Sequence, residues 1–300
     1  MTHWLLANPK AGSGERGREY WRDSLASVGI PDPECCDFTD DDWVHRVEPG
    51  DVVMVAGGDG SVNRGAQLCL AKDATLAVLP SGTANDFARN LGLPEDPEAL
   101  CALIAKGTCQ RVDVAEFGQA LFLNVAHIGL GTLPVRESEG AEKKLFGRFS
   151  YGIGLLRRLN AKRGFKAEIR CDKGRVKGRW LSIAVASGAF FGGGNEIPEA
   201  SANDGQLDVI AVKPRPLFQL LLTFIMVRLN RRSPRRTSTI VHLKGTRCSV
   251  RTGKPKTVTA DGDVVGKTPL EVVCRPQVLS VIGPTVVSTG ESPSNAQGES

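Results

Sequence analysis

The run Asp51–Ala56 (DVVMVA) leads straight into Gly57-Gly58-Asp59-Gly60-Ser61-Val62-Asn63. A short apolar, β-branched run with glycines directly behind it reads as a strand covered on both faces, as in a parallel sheet. Ligands of open α/β sheets sit beyond the carboxyl ends of the strands. Three glycines let the backbone approach such a ligand, and their N–H groups, with the start of a following helix, suit phosphate oxygens. A carboxylate, Asp59, is out of place in a loop that only cradles anions. It makes sense if a cation or a reacting hydroxyl is also present. A Gly-rich turn with Asp59 as a local cap accounts for the same residues.

The flanking sequence repeats the strand–helix alternation. His3–Asn8 reads as a strand, Glu15–Val28 as a helix, Ser61–Ala71 as a helix capped by Ser61, and Thr75–Leu79 as a strand. Ala84–Leu91 and Asp96–Lys106 read as helices. After Arg111 the rhythm changes to short strand-like runs: VDVAEF, LFLNVAHIG, FKAEIRC, WLSIAVAS, LDVIAVK, IVHL, RCSVRT and LEVVCR. Two helical stretches, Lys144–Arg163 and Pro216–Asn230, interrupt them. The expectation is α/β with two domains: residues 1–120 α/β, 121–276 β-rich and sandwich-like, and a Ser/Gly/Pro-rich tail, 285–300, disordered.

Eight cysteines are scattered without a C-x-x-C pair or zinc spacing, which fits a reducing compartment. The start MTHWLLANPKAG has no basic region before a long apolar one, so it does not read as a signal peptide. The apolar run Leu217–Val227 is too short to span a bilayer and reads as a core helix with a basic end. Arginines 228, 231, 232, 235 and 236 follow it, and a second basic group includes Lys143, Lys144, Arg148, Arg157, Arg158, Lys162 and Arg163. With a net charge of +5, the chain suits a phosphate-bearing partner or an anionic surface without choosing between them.

Two further loops carry chemistry. Pro80-Ser81-Gly82-Thr83-Ala84-Asn85-Asp86 again joins a strand end to a helix. Thr83 can cap that helix or bond a phosphate, and Asn85 and Asp86 lie in its first turn. Asn8-Pro9-Lys10-Ala11-Gly12-Ser13-Gly14 follows the first strand. With Gly17 it spells a dinucleotide-type G-x-G-x-x-G, but a Rossmann turn rarely opens on Asn-Pro, and Arg18-Glu19 replaces the Lys-Ser/Thr of a Walker loop.

In that order and spacing, N-P-K-A-G-S-G, G-G-D-G-S-x-N and P-S-G-T-A-N-D-F-A-R-N-L-G resemble the diacylglycerol kinase catalytic family, which includes bacterial soluble lipid kinases and sphingosine kinases. Gly192-Gly193-Gly194 through Leu207-Asp208, and Asp261-Gly262-Asp263, extend the resemblance to nearly residues 3–284. It implies an α/β nucleotide-binding domain and a β-sandwich with the active site between them, and a last strand, about 277–284, that returns to the first domain. It implies ATP at Asn8, Pro9, Lys10, Ala11, Gly12, Thr39, Gly57, Gly58, Asp59, Gly60, Ser61, Val62, Asn63 and Thr83. Ser201, Asp204 and Gln206 match a structural magnesium site, Ser201 and Gln206 through their carbonyls. Asp263 stands where the family has Glu as its proposed general base, one methylene shorter, so Asp263 and Asp59 are the candidate catalytic carboxylates. Without the resemblance, Asp261-Gly262 is an ordinary hairpin turn.

The activity so implied is phosphorylation of a membrane-lipid hydroxyl with ATP and Mg2+ by a cytoplasmic protein associated peripherally with the membrane. Nucleic acid is not an expected partner, and a homodimer is compatible. NAD kinase, which shares the fold and G-G-D-G, is the rival activity. A non-catalytic nucleotide or lipid binder is the rival class, and a Rossmann oxidoreductase lacks a recognisable hydride site.

Overall fold

The computed structural model describes residues 1–9, 15–40, 42–129, 164–216, 218–220, 222, 225–226 and 239–284. Lys10, Ala11 and Gly12, the helix expected over 144–163, both basic groups and the tail 285–300 lie outside the described residues.

The first part is a parallel sheet. Strands β1 (His3–Ala7), β2 (Glu34–Cys36), β3 (Val52–Gly57) and β4 (Thr75–Pro80) run in the order β2-β1-β3-β4, all parallel. Alternate residues of β3 enter opposite cores. Val53 and Val55 pack with Val62 and Ala66 of α2 (Asp59–Lys72) and Phe87 of α3 (Asp86–Asn90). Val52 and Met54 pack with Trp21 and Leu25 of α1 (Arg18–Ala26) and with Leu100 and Ile104 of α4 (Pro97–Lys106). Burial on both faces is why the strand reads as an unbroken apolar run, and each large apolar side chain so buried contributes about 1.5–3 kcal/mol.

The second part is a sandwich. Strands β7 (Val125–Gly129), β10 (Ser182–Ala186), β13 (Leu207–Val212), β14 (Ile240–Gly245), β16 (Thr257–Ala260) and β17 (Asp263–Lys267) form an antiparallel sheet ordered β14-β13-β10-β7-β16-β17. Its inner face, including Ile128, Val185 and Val209, packs on Ile169 of β8 (Phe165–Cys171), Val250 of β15 (Arg247–Thr252) and Val272. Strand β9 (Gly174–Trp180) closes this layer beside β8. A two-stranded ribbon, β11 (Phe190–Phe191) and β12 (Asn195–Glu196), stands apart from both sheets.

Both layers meet in β18 (Leu270–Ile282). Its first residues pair with β15, while its last pair with β5 (Cys109–Phe117) and, in parallel, with β4. Strand β6 (Ala120–Phe122) pairs with β5. Strand β18, β15's partner in the sandwich, ends beside β4 of the parallel sheet. The ladder to β5 is irregular between Arg275 and Leu279, where Gln277 takes φ 50° and donates its N–H to Asp113 Oδ1 at 2.9 Å.

The structure corrects three sequence expectations. Helix α2 begins at Asp59 with Gly58 as N-cap, so Ser61 is inside the first turn and its Oγ instead accepts from Asn8 Nδ2 at 2.8 Å. Thr83 does not cap α3, whose N-cap is Asn85 with φ 52°. In the stretch read as a core helix, the described residues 218–220, 222 and 225–226 are helical, but Phe218, Leu222, Ile225 and Met226 are exposed. These four are spaced i, i+4, i+7 and i+8, which puts them on one helical face.

On the outer face of the six-stranded sheet, His127 of β7 lies 5.5 Å from the Phe191 ring, and its Nδ1 has no hydrogen-bond partner among the described residues. Burial pushes this imidazole down to about 4. Between about 6.5 and about 4 the unfolded chain binds a proton that the folded chain refuses, so stability falls as the pH falls through that window. Wild type should lose about 2 kcal/mol through this group between pH ~7 and pH ~5, and His127→Leu should lose correspondingly less. Urea unfolding at the two pH values checks this, and equal losses in both proteins would contradict it.

Candidate active site

Three loops converge at the carboxyl ends of β1, β3 and β4, and two of them touch through glycines. A Cβ on Gly82 would stand 2.4 Å from Gly58 Cα and 2.9 Å from Asn85 Oδ1. A Cβ on Gly57 would stand 2.5 Å from Ser61 Cβ. These contacts require glycine for space. Asn85 locks the 82–85 turn, accepting from Gly82 N–H at 3.0 Å and donating to Gly82 O at 2.9 Å, rather than pointing to a ligand. Gly58 provides no side-chain cap, so the first-turn N–H groups of α2 lack both a capping side chain and an intrahelical partner. Such a turn, lined by glycines that exclude a Cβ, fits a phosphate group.

Gly82→Ala should therefore destabilise the protein by about 1–3 kcal/mol, because backbone meets backbone and cannot yield as a side chain can. Affinity for a phosphate-bearing ligand should fall at least about tenfold, since one misplaced loop forfeits more than about 1.4 kcal/mol of phosphate contacts. Gly253, with nothing within 4 Å of an added Cβ, is the control. Melting and nucleotide titration of both alanine variants test this, and equal behaviour would contradict it.

Asp59 turns away from the glycine loop. Its Oδ1 accepts from Phe87 N–H at 2.9 Å and from Asn124 Nδ2 at 3.2 Å. Burial, reinforced by the nearby Asp86 charge, raises its carboxyl above the ordinary range. Asn124 joins the two halves of the chain: its Oδ1 accepts from Asn90 Nδ2 at 2.9 Å, and its carbonyl accepts from Ser187 N–H at 2.9 Å. Asn90 Oδ1 in turn accepts from Ala189 and Phe190 N–H at 2.8 and 3.0 Å. Asp86 is buried and holds the Gly193 and Gly194 N–H groups at 2.9 and 2.8 Å. It is thus a tie to the β11–β12 turn.

The Asp261-Gly262 pair is indeed a two-residue turn between β16 and β17, with φ 45° and 96°. It also anchors the site. The Asp261 carboxylate accepts from the N–H groups of Leu123, Asn124 and Val125 at 2.7, 3.0 and 3.1 Å, and from Asn63 Nδ2 at 3.0 Å. The turn carries Asp263 to α2: its Oδ2 is 3.6 Å from where a Cβ of Gly60 would stand. Asp263 is exposed, and nothing among the described residues hydrogen-bonds its carboxylate.

The other expected site residues divide. Asn8, Pro9, Gly57, Gly58, Gly60 and Ser61 lie at this convergence, whereas Val62 is buried in the core and Asn63 is committed to Asp261 and Leu121 O. Thr83 is exposed on the loop beside Gly82, and Thr39 follows β2 next to Phe38, whose carbonyl accepts from Arg64 at 3.1 Å. Ser201, Asp204 and Gln206 form a separate loop. There Asp204 Oδ1 accepts from Gln206 N–H at 3.0 Å and Oδ2 from Lys244 Nζ at 3.2 Å. An ammonium already stands at the one carboxylate of that set, and among the described residues no three His, Cys, Asp or Glu side chains converge as a metal site.

Asn90, Asn124 and Asp261 are the members that sequence reasoning left unassigned. Their signal was a polar residue fixed inside or beside an apolar run, as Asn124 is in LFLNVAHIG.

Residues 2–117 match the diacylglycerol kinase catalytic domain, and residues 129–283 match the YegS C-terminal NAD kinase beta sandwich-like domain. An uncharacterized Synechocystis protein is 27% identical over 94% of this chain and 70% of its own. Probable lipid kinases of YegS-like type from Pseudomonas putida and Cronobacter sakazakii are each 35% identical, over 55% and 57% of this chain. Those matches span 56% and 59% of the two relatives. A crystal structure of a diacylglycerol kinase from Bacillus anthracis aligns over 95% of this chain and 98% of its own, with a TM-score of 0.71 at 23% identity, which shows the fold. Two further solved structures from that organism align with TM-scores of 0.75 and 0.74 at 26% and 25% identity. With both domain matches in order along one chain, the protein belongs to the diacylglycerol kinase and YegS-like family of kinases.

Proposed function

We propose that the protein transfers the γ-phosphoryl group of ATP to a hydroxyl of a membrane lipid at the membrane surface. The observation that carries this reading is the meeting of Asp263, from the sandwich, with Gly60 in the first turn of α2. An unengaged carboxylate beside a phosphate-sized turn is what in-line transfer to a hydroxyl requires.

Asn8 to Gly12, the Gly57–Gly60 turn, Ser61, Thr39 and Thr83 receive the nucleotide. Backbone N–H groups spread over the phosphate oxygens and stabilise charge as it develops. Magnesium, if bound with the nucleotide, would supply the remaining neutralisation of the phosphates. Asp263 accepts the proton of the lipid hydroxyl. Asp59, held by Phe87 N–H and Asn124, sets the negative potential and geometry of the reacting centre. The turn that carries the shorter Asp263 side chain is pinned through Asp261 to the backbone of Leu123, Asn124 and Val125, which supports its reach to the hydroxyl.

Support for the membrane surface comes from the exposed face of Phe218, Leu222, Ile225 and Met226, followed in sequence by five arginines between 228 and 236. Apolar residues that enter the interface and arginines that meet anionic headgroups suit a peripheral attachment. No helix among the described residues is long and apolar enough to cross a membrane.

The test is γ-labelled ATP with mixed micelles of diacylglycerol, sphingoid base, phosphatidylglycerol or isoprenoid alcohol, and NAD as a competing acceptor. Label in the organic phase is expected. Label on NAD instead would replace the lipid reading with the NAD kinase one.

A further inference from the structure

The loop 199–206 is where the family resemblance places a structural divalent cation, and the residues present do not fit one in this arrangement. Lys244 of β14 sits opposite Asp208 of β13 on the outer face of the six-stranded sheet. Its Nζ is 2.7 Å from Glu199 O, 3.2 Å from Asp204 Oδ2 and 3.4 Å from Asp208 Oδ1. Three oxygens match the three N–H donors of an ammonium. Magnesium needs near-octahedral oxygens at about 2.0–2.1 Å and gives up its waters reluctantly. Bound to Asp204, it would face a fixed positive charge at close range.

The surroundings are built to hold the lysine. Asp208 is fully buried and shared with His242 Nε2 at 2.5 Å. Glu199 adopts φ 69°, a left-handed conformation that a non-glycine residue rarely takes, and its carbonyl is the shortest contact of the ammonium. The loop is fastened at its other end by Gly205 N–H donating to Asp113 Oδ2 at 2.6 Å.

We infer that Lys244 takes the place of the structural cation, so that this loop is held by an internal ammonium and folds without a divalent metal. The inference does not depend on the kinase reading, because its readout is stability.

Thermal unfolding of the nucleotide-free full chain in EDTA and in excess magnesium tests it. Wild type should melt at the same temperature in both. Lys244→Ala should melt roughly 4–8 °C lower in EDTA, because Asp204 and Asp208 lose their cation, and should regain much of that with magnesium, which can then enter. A drop in the wild-type melting temperature on adding EDTA that disappears in Asp204→Asn would overturn the inference. So would a Lys244→Ala protein that melts like wild type. If Lys244→Ala does not fold, the wild-type and Asp204→Asn comparison still decides.

Discussion

Asp59→Asn should lower transfer of label from ATP to lipid about 10³-fold while leaving ATP affinity within a few-fold of wild type. The asymmetry follows from where the side chain points. Its Oδ1 is spent on Phe87 N–H and Asn124 rather than on the glycine turn, so removing its charge leaves the phosphate-receiving N–H groups in place. Asn preserves the shape and can still accept from Phe87 N–H, so the fold should survive. What is lost is the negative charge at the reacting centre, which matters most when charge is moving. Initial rates and nucleotide titration on the same preparations separate the two. A variant retaining more than about a tenth of wild-type rate would remove Asp59 from the reaction.

Asp261→Ala should have the largest effect on stability, about 3–5 kcal/mol. It leaves three backbone N–H groups and the Asn63 amide without their acceptor, and each unpaired buried donor costs about 1–3 kcal/mol before relaxation. Those donors lie on β6–β7 and α2, so the same change loosens the join between the two halves of the site. Asp261→Asn should fall between the two.

The pH dependence of Asp261 runs opposite to that of His127. Burial pushes the Asp261 carboxyl up to about 6, against four hydrogen bonds that hold it down. Between about 3.9 and about 6 the folded chain keeps a proton that the unfolded chain has lost, so this contribution falls as the pH rises. Asp261→Asn removes it, leaving the His127 slope exposed. Urea midpoints between pH ~4 and pH ~7 would show a steeper acid loss in Asp261→Asn than in wild type. An unchanged slope would mean that Asp261 is ionised throughout.

What was legible in the sequence, and what was not, has a physical basis. β3 and its glycine loop stood out because a strand buried on both faces must be continuously apolar, and because loops this close have no room for a Cβ at Gly57 or Gly82. The start of α2 was misplaced because Ser61 looks like a cap, while the true cap position is a glycine whose donors are left open. β9, GRVKGRW, was missed because one face is solvent-exposed and its pattern is polar. The apolar face at Phe218 was assigned to the core because spacing alone does not say whether an apolar stripe is covered.

The site was legible as loops, but not as a network. Asn63 meets Asp261 across 198 residues, and Asn124 meets Asp59 across 65. No local pattern encodes such pairings. Each polar side chain reads locally as a turn or a helix start, and only the closure of β18 and the β16–β17 turn brings them together. Lys244 was invisible for the same reason, since its role depends on oxygens of the 199–208 stretch, which lies 45 residues away at Glu199 and 40 at Asp204.

In the proposed function, two carboxylates from the two halves of the chain, Asp59 and Asp263, serve transfer of a phosphoryl group to a lipid hydroxyl. Mass spectrometry of the lipid fraction, after incubating the protein with ATP, magnesium and a mixed lipid extract, tests it most directly. One hydroxylated lipid class should gain a single phosphoryl group, with the product absent in Asp59→Asn. A lipid fraction left unchanged while ATP is bound, or while NAD gains the phosphoryl group, would contradict it.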